Sequence, residues 1–153
     1  MPDWLTHTLV GWMTGKTIKR DIGLIVAGSL IPDLTKINLA FQYFNTNLRQ
    51  IFDPFHTPAV AFIVAGLFSL LFRDFKKAFI ALSIGLLTHF ILDFCLIHVS
   101  SQIMLFFPIS WNTWQYPLIH PEDYNVTIAA VIIAAVVFLV YFYREKRSKL
   151  VIT

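Results

Sequence analysis

The chain has 153 residues, with 12 Lys+Arg, 9 Asp+Glu and 5 His, a formal net charge of +3, and 57% hydrophobic and 16% aromatic residues. Only 14% are charged, where a soluble domain carries about a quarter, and the mean hydropathy is +0.68; this excludes a disordered chain and argues against an ordinary water-soluble domain, so lipid replaces the missing polar surface. The positive charge lies between apolar runs and not on an aromatic-interleaved basic face, which argues against nucleic acid, and the single Cys95 has no thiol partner for redox chemistry.

In chain order, Met1-Pro2-Asp3-Trp4 lacks the basic start of a cleaved signal peptide and is expected to be retained. Two weak apolar runs, 4–13 and 22–31, flank Gly15-Lys16-Thr17-Ile18-Lys19-Arg20-Asp21 and predict a short helical hairpin within 1–35. Residues 37–52 place Ile37, Phe41, Phe44, Leu48 and Ile51/Phe52 on one face, opposite Asn38, Gln42, Asn45, Asn47 and Gln50. That stripe suits a helix lying in the membrane interface, or a packed extramembrane helix. Transmembrane helices are predicted over 56–72, 78–99 and 126–143, since about 20 apolar residues cross a bilayer. Between the last two, 100–125 carries Trp111, Trp114, Tyr116, Tyr124 and three prolines, as expected of an interfacial loop. Residues 144–153 form a basic tail. The fold class expected is all-α: one integral membrane domain, 1–153, a polytopic bundle of about five helical segments.

The basic clusters are Lys16, Lys19 and Arg20; Arg73, Lys76 and Lys77; and Arg144, Lys146, Arg147 and Lys149. Two apolar runs separate each cluster from the next, so all three fall on one side, the cytoplasmic side by the excess of Lys and Arg there. Only Lys36 and Arg49 fall on the other. The N-terminus is then outside and the C-terminus inside a cytoplasmic membrane. His7, His56, His89, His98 and His120 all come to the outer side or outer half, with most of the acids.

His89 and Asp93, four residues apart, share one helix face. Each costs about 2.5 to 3.5 kcal/mol to insert in lipid and so requires a partner. They could satisfy each other in a bundle; a divalent ion satisfies both more fully, since imidazole nitrogen and carboxylate oxygen are zinc ligands. Asp33 follows the helix-ending proline of Gly28-Ser29-Leu30-Ile31-Pro32-Asp33, His56 opens Phe55-His56-Thr57-Pro58, and His7 lies in Thr6-His7-Thr8. Taken singly these read as a turn, a helix start and a packing residue. Taken together, separate segments each bring one ligand type to the same side.

The order of an early His7, Gly-x-x-x-Pro-Asp at Gly28 to Asp33, His56 with Pro58, then Gly85-Leu86-Leu87-Thr88-His89-Phe90-Ile91-Leu92-Asp93 and Leu105-Phe106-Phe107-Pro108 resembles the membrane-bound, metal-dependent hydrolase family that includes the LexA-regulated inner-membrane hydrolases. That family is distantly similar to the all-helical zinc-dependent phospholipase C and P1 nuclease group. The resemblance implies a metal held by Asp33, His56, His89 and Asp93, with His7 near a further metal, Asp93 bridging and Asp33 as catalytic base. Two departures stand out: Thr35 replaces the second Asp of Pro-Asp-x-Asp, and His56-Thr57-Pro58-Ala59-Val60-Ala61 lacks the Arg and second His of the family's pattern. The later ligands of the phospholipase group have only His98, His120 and Glu122 as candidates. These departures imply one or two metals, most simply zinc, in place of three.

The function expected is a membrane-embedded, divalent-metal-dependent hydrolase. It would act on a phosphoester or ester bond of a lipid or lipid-linked substrate at the outer interface, using a metal to activate water near neutral pH. Intramembrane His and Asp also suit a metal or proton transporter or sensor, and a non-catalytic scaffold stapled by metal is a third reading.

Overall fold

A computed structural model describes residues 4–36, 56–95, 103–116, 118, 120 and 124–152. Five α-helices form among them: α1 Trp4–Ile18, α2 Ile22–Leu30, α3 Pro58–Ser69, α4 Phe75–Phe94 and α5 Asn125–Ile152, with a 3-10 helix at Pro32–Lys36. No strand forms among the described residues; Ile103 and Trp114 make a single antiparallel bridge. The interfacial helix expected over 37–52, together with Asp53, His98 and Glu122, lies outside the described residues.

The helix boundaries follow local chemistry. α1 runs past the apolar stretch 4–13 because no proline stops it before a left-handed turn at Lys19 (φ 52°), where Arg20 N–H reaches back to the Gly15 carbonyl at 3.3 Å. This is the helix-ending turn that normally selects glycine. α2 ends because Pro32 has no N–H for the Gly28 carbonyl, which takes Ile31 N–H at 3.3 Å instead. The chain then tightens into the 3-10 helix, and the Ser29 carbonyl is left facing the bundle.

α3 starts with Pro58 behind Thr57, where a missing N–H costs nothing. Its 12 residues span about 18 Å, shorter than the expected 56–72. Asp74 caps α4: its carboxylate accepts Lys77 N–H at 3.2 Å and meets Lys77 Nζ at 2.9 Å. The Lys77 hydrogen bond holds the Asp74 carboxyl below the usual range. α4 has 20 residues, about 30 Å, and starts earlier than the expected 78–99. α5 has 28 and takes in most of the basic tail, whose Arg144-Glu145-Lys146-Arg147 are good helix formers.

Two helices, Phe75–Phe94 and Asn125–Arg147 within α5, are long and apolar enough to cross a membrane. They differ in surroundings: 44% of the α4 span is buried in the protein and only 11% of the α5 span, so α4 is the bundle's central helix and α5 its apolar outer one. The core is small and aliphatic, with Ala61, Ala65, Leu82, Leu86 and Phe90 packed together, closed by Ile31 and Ile103. α2 and α4 cross almost backbone to backbone. A Cβ on Gly28 would run into the Leu82 carbonyl, and one on Gly85 into the Ile25 carbonyl. Small residues permit this approach, as they do between helices in lipid. α5 packs on α1, tied by Thr6 and Thr127 hydroxyls 3.0 Å apart and by Tyr141 OH donating to the Lys16 carbonyl at 3.1 Å.

Lys16, Lys19 and Arg20 therefore gather with Tyr141 and the start of α4 at one end of the bundle, where Lys77 feels the charges of Asp21 and Arg20. His7, near the start of α1, and Asp93, near the end of α4, lie at the opposite end. Residues 103–116 and Leu118 close that end: Tyr116 N–H bonds the Phe94 carbonyl at 2.8 Å and Leu118 N–H the Cys95 carbonyl at 3.1 Å, satisfying the carbonyls that end α4.

Lys19→Gly relieves the left-handed strain and should raise stability by about 1 kcal/mol, read from thermal unfolding in detergent. Gly85→Ala should lower it by about 3 kcal/mol by forcing α2 from α4; an unchanged melting curve would contradict the close crossing.

Candidate metal centre

α4 contributes two groups, and its geometry dictates their relation. His89 and Asp93 stand one turn apart on the buried face, with His89 Nε2 3.2 Å from Asp93 Oδ2. The other donors arrive from different elements. The turn before α3 brings His56 Nε2 to 3.0 Å from Asp93 Oδ2. α1 brings His7 Nε2 to 3.3 Å from Asp93 Oδ1, its ring stacked on His89 with centroids 3.9 Å apart. The 3-10 helix brings Asp33, whose carboxylate lies with His7 and His89 in one group of ligand atoms all within 4.8 Å; His56, His89 and Asp93 form a second such group. His7, Asp33, His89 and Asp93 are all buried, at 2% exposure or less.

The end of α2 orients two of the imidazoles. His89 Nδ1 lies 2.7 Å from the Ser29 carbonyl, the one exposed when Pro32 breaks the helix. His56 Nδ1 lies 3.4 Å from the Pro32 carbonyl, a longer contact. A carbonyl only accepts, so in each ring Nδ1 carries the proton, and in the neutral imidazole Nε2 holds the lone pair. Both lone pairs then face Asp93. Fixing a metal-binding imidazole through its other nitrogen is the usual support around a metal. Ser29 also donates its hydroxyl to the His7 carbonyl at 3.1 Å and to Val26 at 2.8 Å, locking α1 to α2 beside the site.

Buried polar atoms test whether the set suits a cation. Neither Nε2 of His7 nor that of His89 makes a well-formed hydrogen bond among the described residues, and His7 Nδ1 makes none either. An imidazole lone pair aimed at a carboxylate oxygen is repulsive without a proton or a cation between them. Two ligands each bound to one tetrahedral zinc stand about 3.3 Å apart, close to the 3.0, 3.2 and 3.3 Å separations here. Two imidazoles and a carboxylate are also the donor set of catalytic zinc centres, with one position left for water. The residues present fit a divalent ion. His89 has one available lone pair, so it serves one ion, and the two groups that share it are not two complete sites.

The structure thus brings together His7, Asp33, His56, His89 and Asp93, each expected from sequence. His120 is exposed and belongs to neither group. The sequence reading missed Ser29 and the Pro32 carbonyl; the helix-breaking proline was the available signal, since it leaves main-chain acceptors behind.

Metal analysis of the purified protein by mass spectrometry should find a divalent ion. His89→Ala and Asp93→Ala should each lose it, because each removes a ligand and leaves the other donors too few. His120→Ala should keep it in full. Full retention by both α4 variants would remove the centre.

No curated protein and no solved structure matches the chain. A family model described as the YdjM inner membrane protein matches residues 1–153. The two apolar helices long enough to cross a membrane agree with that description, and the match spans all four elements that bring donors to the cluster: this chain belongs to the YdjM inner membrane protein family.

Proposed function

We propose that the protein is a metal-dependent hydrolase working at the membrane boundary on a phosphoester or ester of a lipid or lipid-linked molecule. The observation that carries the reading is the meeting of three imidazole Nε2 atoms, from three elements, on one buried carboxylate. In this reading His56, His89 and Asp93 would hold one zinc ion, with His7 and Asp33 beside it. Zinc would supply a water acidified to about pKa 7 and a positive charge facing the anionic transition state.

The chain's own groups do the rest. Asp33, fixed by the 3-10 turn beside His7 and His89, takes the proton of the attacking water as general base. Asp93 would bring the negative charge that a cation buried in the cluster requires. Exposed Trp111, Trp114 and Tyr116, on the loop bonded to the end of α4, sit where a head group would approach, since aromatic residues favour the membrane interface. The basic end of the bundle faces the cytoplasm by the same sidedness argument, which puts the cluster in the outer half.

Transport has less support. Among the described residues no second group of buried His, Asp or Glu lies toward the basic end; the buried face of α4 there is Ala78, Ala81, Leu82, Gly85 and Leu86. An ion relay needs further polar stations.

The test is hydrolysis of a fluorogenic phospholipid and of a soluble phosphodiester by the protein in nanodiscs. Zinc-loaded protein should turn over the lipid, chelation should abolish turnover, and Asp33→Asn should cut the rate by a factor of about 100 or more while metal stays bound. Absence of turnover on either ester, with chelation only lowering the melting temperature, would replace the enzyme by a metal-stapled scaffold.

A further inference from the structure

On the side of α1 away from the metal centre, a groove of about 750 Å³ opens between α1, α2 and α5. Thr8 and Trp12 of α1, Gly23 and Val26 of α2, and Ala134 and Phe138 of α5 line it. It exists because small residues face one another: a Cβ on Gly23 would meet no atom within 4 Å. Its volume is that of a ligand site, and its walls are α1, α2 and the lipid-facing helix α5. Its α1 wall runs from Thr8 to Trp12, about 6 Å of helix, with Lys16 one turn beyond Trp12.

At that end the polarity changes. The Lys16 ammonium stands 6.0 Å from the Trp12 ring centroid and 5.9 Å from that of Tyr141, held over both faces by cation–π attraction. Tyr141 is itself anchored to the Lys16 carbonyl. Arg144, three residues on from Tyr141, follows it on the same side of α5, and Lys19 and Arg20 end α1. The groove is therefore apolar along its length and cationic at one mouth.

We propose that this groove binds an anionic phospholipid, one acyl chain lying between α1, α2 and α5 and the phosphate held at Lys16. The lining offers only the Thr8 hydroxyl and Trp12 indole as polar side-chain groups, so an irregular peptide segment would bury amides without partners, whereas an acyl chain needs none. A second copy inserted in the same orientation would set Lys16 and Arg144 against their own counterparts, and like charges repel. A lipid phosphate neutralises the same residues. The phosphate position at Lys16 lies near the end of α1, away from His7 near its start, so the inference stands apart from the hydrolase reading.

The experiment is native mass spectrometry of the full chain released from detergent after titration with dioleoyl phosphatidylglycerol or dioleoyl phosphatidylcholine. One phosphatidylglycerol adduct per chain should form, at about fivefold lower lipid concentration than the phosphatidylcholine adduct, the worth of one lysine beside an anionic lipid. Lys16→Gln should erase that preference while adducts persist. Ala135→Phe, at an exposed position lining the groove, should suppress adducts of both lipids with helix content and bound metal unchanged. Equal titration curves for the two lipids with the unaltered chain would overturn the proposal, and that arm needs no variant to fold. A two-chain species that disappears in Ala135→Phe would assign the groove to a second copy.

Discussion

The structure depends on the near contact of two main chains where Gly28 of α2 passes Gly85 of α4. Side chains at either position would keep the helices apart by the width of a methyl group or more. With them absent, His89, one turn beyond Gly85, comes within hydrogen-bonding reach of the carbonyl released at the end of α2. Every later feature of the cluster is referred to that bond, because it fixes which nitrogen of His89 carries the proton and where its lone pair points.

Proline then has two consequences from one missing N–H. It ends α2, and the tightened turn that follows leaves the Ser29 carbonyl and its own carbonyl as supports for His89 and His56. The turn that follows delivers Asp33 to the same place. A helix terminus buried in the bundle needs partners for its orphan acceptors, and here the donors are imidazoles from neighbouring elements. The cost of burying so many ionisable groups is offset only if they share a charge partner, which explains why they cluster.

The bundle is also polarised along its length. Lysines and arginines collect at the end where α1 stops and α4 starts, and histidines and aspartates at the other, separated by a stretch of alanine, leucine and glycine. Such separation suits a molecule whose two ends meet different media. The outer helix α5 joins them with an apolar surface and touches the rest mainly through α1, held there by Thr127 near its start and Tyr141 in its second half. That sparse packing leaves the groove.

Much was legible before any fold was drawn. Low charge content and apolar runs give a membrane-embedded all-helical chain, and the four-residue spacing of His89 and Asp93 gives a paired donor face, because both follow from composition and helical period alone. The convergence of His7, Asp33 and His56 on that face could be expected from their common side but not located, since it depends on segments up to 86 positions apart in sequence. Helix ends follow backbone geometry and not the apolar runs alone: α1 continues past its apolar run to the left-handed turn at Lys19, and α5 continues into the tail. Only the tertiary structure could reveal that Ser29 and Pro32 orient the imidazoles through main-chain carbonyls. Main-chain oxygens are the same in every residue, and only the packing of α2 against α4 chooses which of them a histidine meets.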